Sequence, residues 1–186
     1  MFYKFFNATI LNIFLTGVFL GLAQLELTFI TIAKLSSSII WYFMLLCIWL
    51  LASLLGTYFE QYMIAKLPIL ANFKYLKAIM LLICIVLNIY CFNFDFNFNY
   101  TYSGLILLAV LANGFYAGSF LASQYQKKLS LNILLCENNG FILGYIIGYL
   151  MLFFAQPFYV FMVLTIGLIL LNWLIQKSST CMLAVK

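Results

Sequence analysis

The chain has 186 residues, of which 67% are hydrophobic and 7% charged, against roughly half apolar and a quarter charged in an ordinary soluble domain. A water-soluble globule is excluded, because a chain of this size folded in water buries only about 70% of its unfolded surface and the remaining apolar side chains need lipid. There is no histidine and no arginine, the nine basic residues are lysines, and the acids are Glu26, Glu60, Asp95 and Glu137. Imidazole metal or haem centres, Ser-His and Cys-His nucleophile pairs and bidentate phosphate forks are excluded with them.

A membrane-spanning helix needs about 20 predominantly apolar residues, and the sequence divides into six such stretches. They run roughly over 8–33, 38–59, 76–93, 102–123, 130–154 and 157–176. The expected fold is therefore all-α, a single six-helix membrane domain covering 1–186. The first stretch is too long for a signal peptide, and no small-x-small cleavage site follows it. Pro157 suits the first turn of a new helix, where its missing N–H costs nothing. The segment 92–102 alternates Phe or Tyr with Asn, Asp or Thr, which reads as an aromatic belt at the bilayer interface.

Lysines orient the chain, since short positively charged loops stay on the cytoplasmic side. With the N-terminus inside, Lys4, Lys66, Lys74, Lys77, Lys127, Lys128, Lys177 and Lys186 are internal and only Lys34 is external. Both termini are accordingly expected in the cytoplasm. The net charge of +5 is spread over loops, so it is an orientation signal and not a nucleic-acid footprint. The longest inner connection, about 60–75, is too short for an extramembranous domain.

Seven of the 10 glycines fall four residues apart: Gly17 and Gly21 in span one, Gly114 and Gly118 in span four, and Gly140, Gly144 and Gly148 in span five. Residues so spaced share a helix face, where glycine lets another backbone approach closely. Spans one, four and five are thus expected to form a tight interior, through contacts within one chain.

A carboxylate inside a membrane helix is costly unless paired, protonated or wet. Glu26 follows Gln24 in span one, and Glu137 precedes Asn138 and Asn139 in span five. Their depths differ by roughly 15 Å at 1.5 Å per residue, which argues against a direct pair. Either these five residues form a transport path, or the carboxylates only specify packing. Glu60, beside Gln61 at the inner end of span two, needs no more than interfacial solvation. The five cysteines contain no C-x-x-C pair and read as small apolar residues.

Gly21-Leu22-Ala23-Gln24-Leu25-Glu26-Leu27 in span one and Glu137-Asn138-Asn139-Gly140-Phe141-Ile142-Leu143-Gly144 in span five resemble landmarks of the membrane domain attached to spermidine-synthase-like proteins, and more loosely of a six-helix half of the major facilitator superfamily. Glu137 stands where that family usually has aspartate. Gly114 to Leu121 is similar to a fourth-span glycine stretch, and Ser36-Ser37-Ser38 to a small-residue turn, although Ala122 follows Leu121 where the family usually has proline. The resemblance implies a six-helix module with two acidic helix positions, without the soluble aminopropyltransferase domain.

The expected role is that of a small integral membrane subunit packed into a larger complex. It is not expected to be an enzyme, and no catalytic or metal-binding residue is assigned. The alternative is a transporter or half-transporter using Glu26 and Glu137. Expected partners are membrane lipid and other membrane subunits, with no nucleic acid, in a bacterial cytoplasmic membrane or an organelle inner membrane. The sequence names no cofactor.

Overall fold

The computed structural model describes residues 2–34, 39–66, 74–93, 100–125 and 131–154, together with 163, 166, 167, 169 and 170. It is all-helical over these residues. Five helices follow in order: α1 (Phe2–Lys34), α2 (Ile39–Lys66), α3 (Lys74–Asn93), α4 (Tyr100–Tyr125) and α5 (Leu131–Phe154). Neither Pro68 nor Pro157 lies in them, so every interior residue can donate to the helical ladder that lipid demands.

Four helices are long and apolar enough to cross a membrane, over Ile10–Ile32, Ile39–Met63, Ser103–Gln124 and Leu134–Met151. The apolar part of α3 is shorter, Leu76–Cys91. Several helices run beyond the apolar stretches expected from sequence, most clearly α2, which continues to Lys66. Of the expected sixth span, Val163, Ile166, Gly167, Ile169 and Leu170 are helical, with Val163 and Leu170 buried. The remainder of 157–176 lies outside the described residues, as do the triple serine, Asp95 and its aromatic neighbours at 94–99, and the C-terminal tail with Cys181, Lys177 and Lys186.

Two close helix pairs organise the bundle. In the first, a Cβ placed on Gly17 would collide with the Glu137 carbonyl, and one on Gly21 with the Phe141 carbonyl. Reciprocally, Gly140 faces the Phe14 carbonyl and Gly144 the Val18 carbonyl. Residue numbers rise together, so α1 and α5 run parallel. In the second pair Gly114 faces the carbonyl of Trp49, Gly118 that of Ser53, and Gly56 of α2 that of Phe115. These α2 and α4 helices are parallel too.

The remaining contacts set alternating directions. Gln24, Leu27 and Thr28 near the end of α1 adjoin Tyr42, Leu45 and Trp49 near the start of α2. The start of α3 meets the end of α2 through Lys77 and Glu60. One end of the bundle therefore gathers the N-termini of α1, α3 and α5 and the C-termini of α2 and α4.

Burial departs from the expectation that spans one, four and five form the interior. The membrane-length windows of α1 and α4 are 67% and 61% buried, whereas those of α2 and α5 are 22% buried. The central helices are α1 and α4, with α5 outside them. The reason is geometric: a glycine series makes one face of a helix approachable and says nothing about its other faces. On α5 those faces carry exposed Leu135, Ile142, Ile146 and Tyr149.

Candidate functional site

Polar side chains in an apolar bundle must find partners or stay at its ends, and several here bond within their own helix. The hydroxyls of Thr16, Thr28, Thr31 and Thr57 donate to carbonyls four residues back, the usual way such residues are satisfied inside a helix. The fully enclosed Tyr116 of α4 lies beside Thr16 of α1.

Between α3 and α4, Asn88 and Asn113 form a reciprocal amide pair. Asn113 Nδ2 donates to Asn88 Oδ1 at 3.0 Å, and Asn88 Nδ2 donates to Asn113 Oδ1 at 3.3 Å. Asn113 Nδ2 also donates to the Ala109 carbonyl at 2.8 Å. Both residues are wholly buried. Between α2 and α4, Ser53 Oγ donates to the Gly114 carbonyl at 3.0 Å and Thr57 Oγ1 to the Gly118 carbonyl at 3.3 Å. These carbonyls are reachable because glycine brings the two backbones together.

At the end of the bundle where α2 finishes and α3 begins, Lys77 Nζ donates to Glu60 Oε1 at 2.8 Å. Their side chains are only 14% and 12% exposed. Glu60 is thus not the solvated interfacial acid expected from sequence; burial in a three-helix corner requires the partner that Lys77 supplies. Gln124, near the end of α4, is buried as well, and its Oε1 has no hydrogen-bond partner among the described residues.

The residues singled out in the sequence are dispersed. Glu26 is buried, with Cys91 of α3 in electrostatic reach. Gln24, two residues away, lines a cavity of about 10 Å³ between α1, α2 and α4, room for no more than one water. Glu137 is buried on the α1 side of α5, whereas Asn138 and Asn139 are exposed. The Glu137 carbonyl lies against Gly17, nine residues from Glu26, which corresponds to about 14 Å along α1. The two carboxylates share no site. Gly148 is buried on the same face as Gly140 and Gly144. Cys84 and Cys91 are buried, Cys136 is half-buried and Cys47 exposed, all as free thiols.

Sequence reasoning missed Asn88, Asn113, the Glu60–Lys77 pair and Gln124. One signal was present: Asn88 is the lone amide in the apolar stretch 76–91. Asn113 directly precedes a glycine already marked as a contact residue. No group of three or more metal-ligating side chains occurs among the described residues. No family model, curated protein or solved structure matches the chain.

Proposed function

We propose that the protein is a small, non-enzymatic integral membrane subunit that docks into a larger membrane complex through the outer face of α5. The observation that carries this reading is the exposure of Asn138 and Asn139 within the membrane-length segment Leu134–Met151. They lie about four residues from its midpoint, about 5–7 Å at 1.5 Å per residue, well inside the roughly 15 Å half-thickness of a bilayer core. Amides at that depth gain far more from another helix than from acyl chains. Leu134, Leu135, Ile142, Leu143 and Ile146 surround them and are exposed, giving an apolar face with a polar centre of the kind that specifies a helix partner.

In this reading the chain has six spans with both termini cytoplasmic. Its support is the alternation of α1 to α5 together with the helical residues Val163, Ile166, Gly167, Ile169 and Leu170. The end of the bundle that collects Lys4, Lys66, Lys74 and Lys77 then faces the cytoplasm. Close backbone contacts at Gly17 and Gly144 between α1 and α5, and at Gly56 and Gly118 between α2 and α4, hold the module together in place of the hydrophobic driving force that lipid removes. The transporter reading asks Glu26 and Glu137 to serve one path. Their separation along α1 favours the subunit reading.

The test is purification of the full chain from native membranes in mild detergent. A companion polypeptide is expected to copurify, and the double variant Asn138→Leu, Asn139→Leu is expected to release it while remaining folded. Migration of the wild type as a lone 21.4 kDa species overturns the proposal.

A further inference from the structure

The corner formed by α2, α3 and α4 carries a second feature, independent of the α5 face. A groove of about 400 Å³ opens on the outside of the bundle, walled by Ala52 and Leu55 of α2, Met80 and Ile83 of α3, and Ala112 and Phe115 of α4. Its wall is almost wholly apolar. Lys77 lies three residues before Met80 on α3, so the two share a helix face one turn apart. Glu60 lies five residues beyond Leu55 on α2, and Phe59 packs on Phe115 with ring centroids 5.5 Å apart. The Glu60–Lys77 pair therefore lies about one turn beyond the end of the groove marked by Leu55 and Met80.

Gln124 belongs to the same end. Lys77 stands eleven residues before Asn88 on α3, and Gln124 eleven residues after Asn113 on α4. Eleven residues are three helical turns, and α3 and α4 are antiparallel. The register that pairs the two asparagines thus brings Gln124 to the level of Lys77. That level of the bundle therefore carries one cation, one anion and a buried amide oxygen without a donor among the described residues, and the apolar groove runs from there along the helices.

We propose that this cleft is a binding site for a single phosphatidylethanolamine molecule, one acyl chain in the α2–α3–α4 groove and the headgroup at Lys77, Glu60 and Gln124. The polar end offers one positive and one negative side chain in contact, which complements a zwitterion better than an anionic headgroup. The phosphate accepts from Lys77, the ammonium donates to Glu60, and a further ammonium hydrogen satisfies Gln124 Oε1 with a charge-assisted bond. A choline headgroup has no hydrogen to give that oxygen. The Lys77 and Glu60 side chains keep 14% and 12% exposure, so the pair is not sealed off.

The experiment is native mass spectrometry of the full chain, delipidated in detergent and titrated separately with phosphatidylethanolamine, phosphatidylcholine and phosphatidylglycerol of matched acyl chains. One phosphatidylethanolamine is expected to be retained over phosphatidylcholine by about three- to tenfold, the size of one or two net hydrogen bonds, with phosphatidylglycerol no better than phosphatidylethanolamine. Gln124→Leu, which removes an unsatisfied buried atom and leaves the fold intact, is expected to bring phosphatidylethanolamine down to the phosphatidylcholine level. Ala112→Phe is expected to fill the groove and remove retention of all three lipids; Leu55→Trp, at an outward-facing position, serves the same purpose if the first variant does not fold. Equal retention of ethanolamine and choline lipids by the wild type overturns the proposal. So does stronger retention of phosphatidylglycerol, an ethanolamine preference unchanged in Gln124→Leu, or a polypeptide that crosslinks stoichiometrically at Ile83 and excludes lipid.

Discussion

The α1–α5 and α2–α4 pairs are built on the same plan and finished differently. Both are parallel, and both bring glycine against backbone carbonyls at four-residue intervals, Gly17, Gly21, Gly140 and Gly144 in one pair and Gly56, Gly114 and Gly118 in the other. In the α2–α4 pair the exposed carbonyls are also hydrogen-bonded across the seam, by Ser53 to Gly114 and by Thr57 to Gly118. In the α1–α5 pair a hydroxyl contact lies a turn or more away, between Thr28 and Tyr145. Close approach is thus the common element, and hydroxyl bonds are a local addition that glycine makes possible.

The sharpest way to break the comparison is to remove the close approach. Gly118→Leu would drive a side chain into the Ser53 backbone, and Gly144→Leu into that of Val18. Neither obstacle is a flexible side chain that can swing aside. Each variant is expected to lose about 3 kcal/mol or more, at the upper end of overpacking costs, with Gly118→Leu the worse because it also parts two hydroxyl bonds. Fluorescence-detected size exclusion of a tagged chain reads this as loss of the monodisperse peak. Near-wild-type recovery of Gly144→Leu would show that α5 can lie off α1 without harm.

These contacts were partly legible in the sequence, and the limit of legibility is physical. Helix positions follow from apolar run length, and the five helices overlap the first five expected stretches, with α1 beginning six residues earlier and α2 ending seven residues later. Four-residue spacing identified Gly17, Gly114 and Gly144 as sharing faces with their neighbours in the series, yet Gly56 was passed over because its seam companions are Ala52 and Ser53. The spacing also made α5 look central, when only one stripe of it is covered. Cross-helix partners depend on register, which no single helix encodes; Asn88 and Asn113 are 25 residues apart and meet only once α3 and α4 are laid antiparallel. Likewise Lys77 was read for its charge and not for Glu60, because the end of α2 and the start of α3 bring them together across 17 positions.

A smaller effect is expected where α3 joins the core. Asn88→Leu or Asn113→Leu alone leaves the other amide buried without its partner, at a cost of about 1–3 kcal/mol. The double variant is expected to recover part of that loss, because both polar groups are then gone. A double-mutant cycle on detergent thermal stability measures the coupling, expected at about 1–2 kcal/mol within a membrane bundle. Additive losses would mean that the two amides do not act as a pair.

Below that stand the seam hydroxyls of α2–α4. Ser53→Ala deletes the bond to Gly114 without altering the glycine contact, and Thr57→Val deletes the bond to Gly118 while keeping the branched shape. Each is expected to cost about 0.6 kcal/mol, the average for an interhelical bond inside a membrane protein, read as a fall in thermal midpoint with the elution profile unchanged. Thr57 should lose the less of the two, because its hydroxyl also donates to the Ser53 carbonyl in its own helix at 2.9 Å, shorter than its 3.3 Å reach across the seam.

The smallest effect is expected at the hydroxyl contact between Thr28 of α1 and Tyr145 of α5. Tyr145 is half-buried, and Thr28 already donates to the Gln24 carbonyl at 2.8 Å. Removing the tyrosine hydroxyl therefore strands no donor on α1. Tyr145→Phe also keeps the ring that packs on Phe141 with centroids 5.3 Å apart, so the apolar contact survives the change. A loss below about 0.5 kcal/mol is expected, the range of substitutions that leave packing and partners intact, and less than Ser53→Ala costs under the same conditions. If Tyr145→Phe instead costs more, the α1–α5 seam depends on its hydroxyl, and the glycine contacts at Gly17 and Gly144 would be a consequence of that contact instead of the feature that holds the pair.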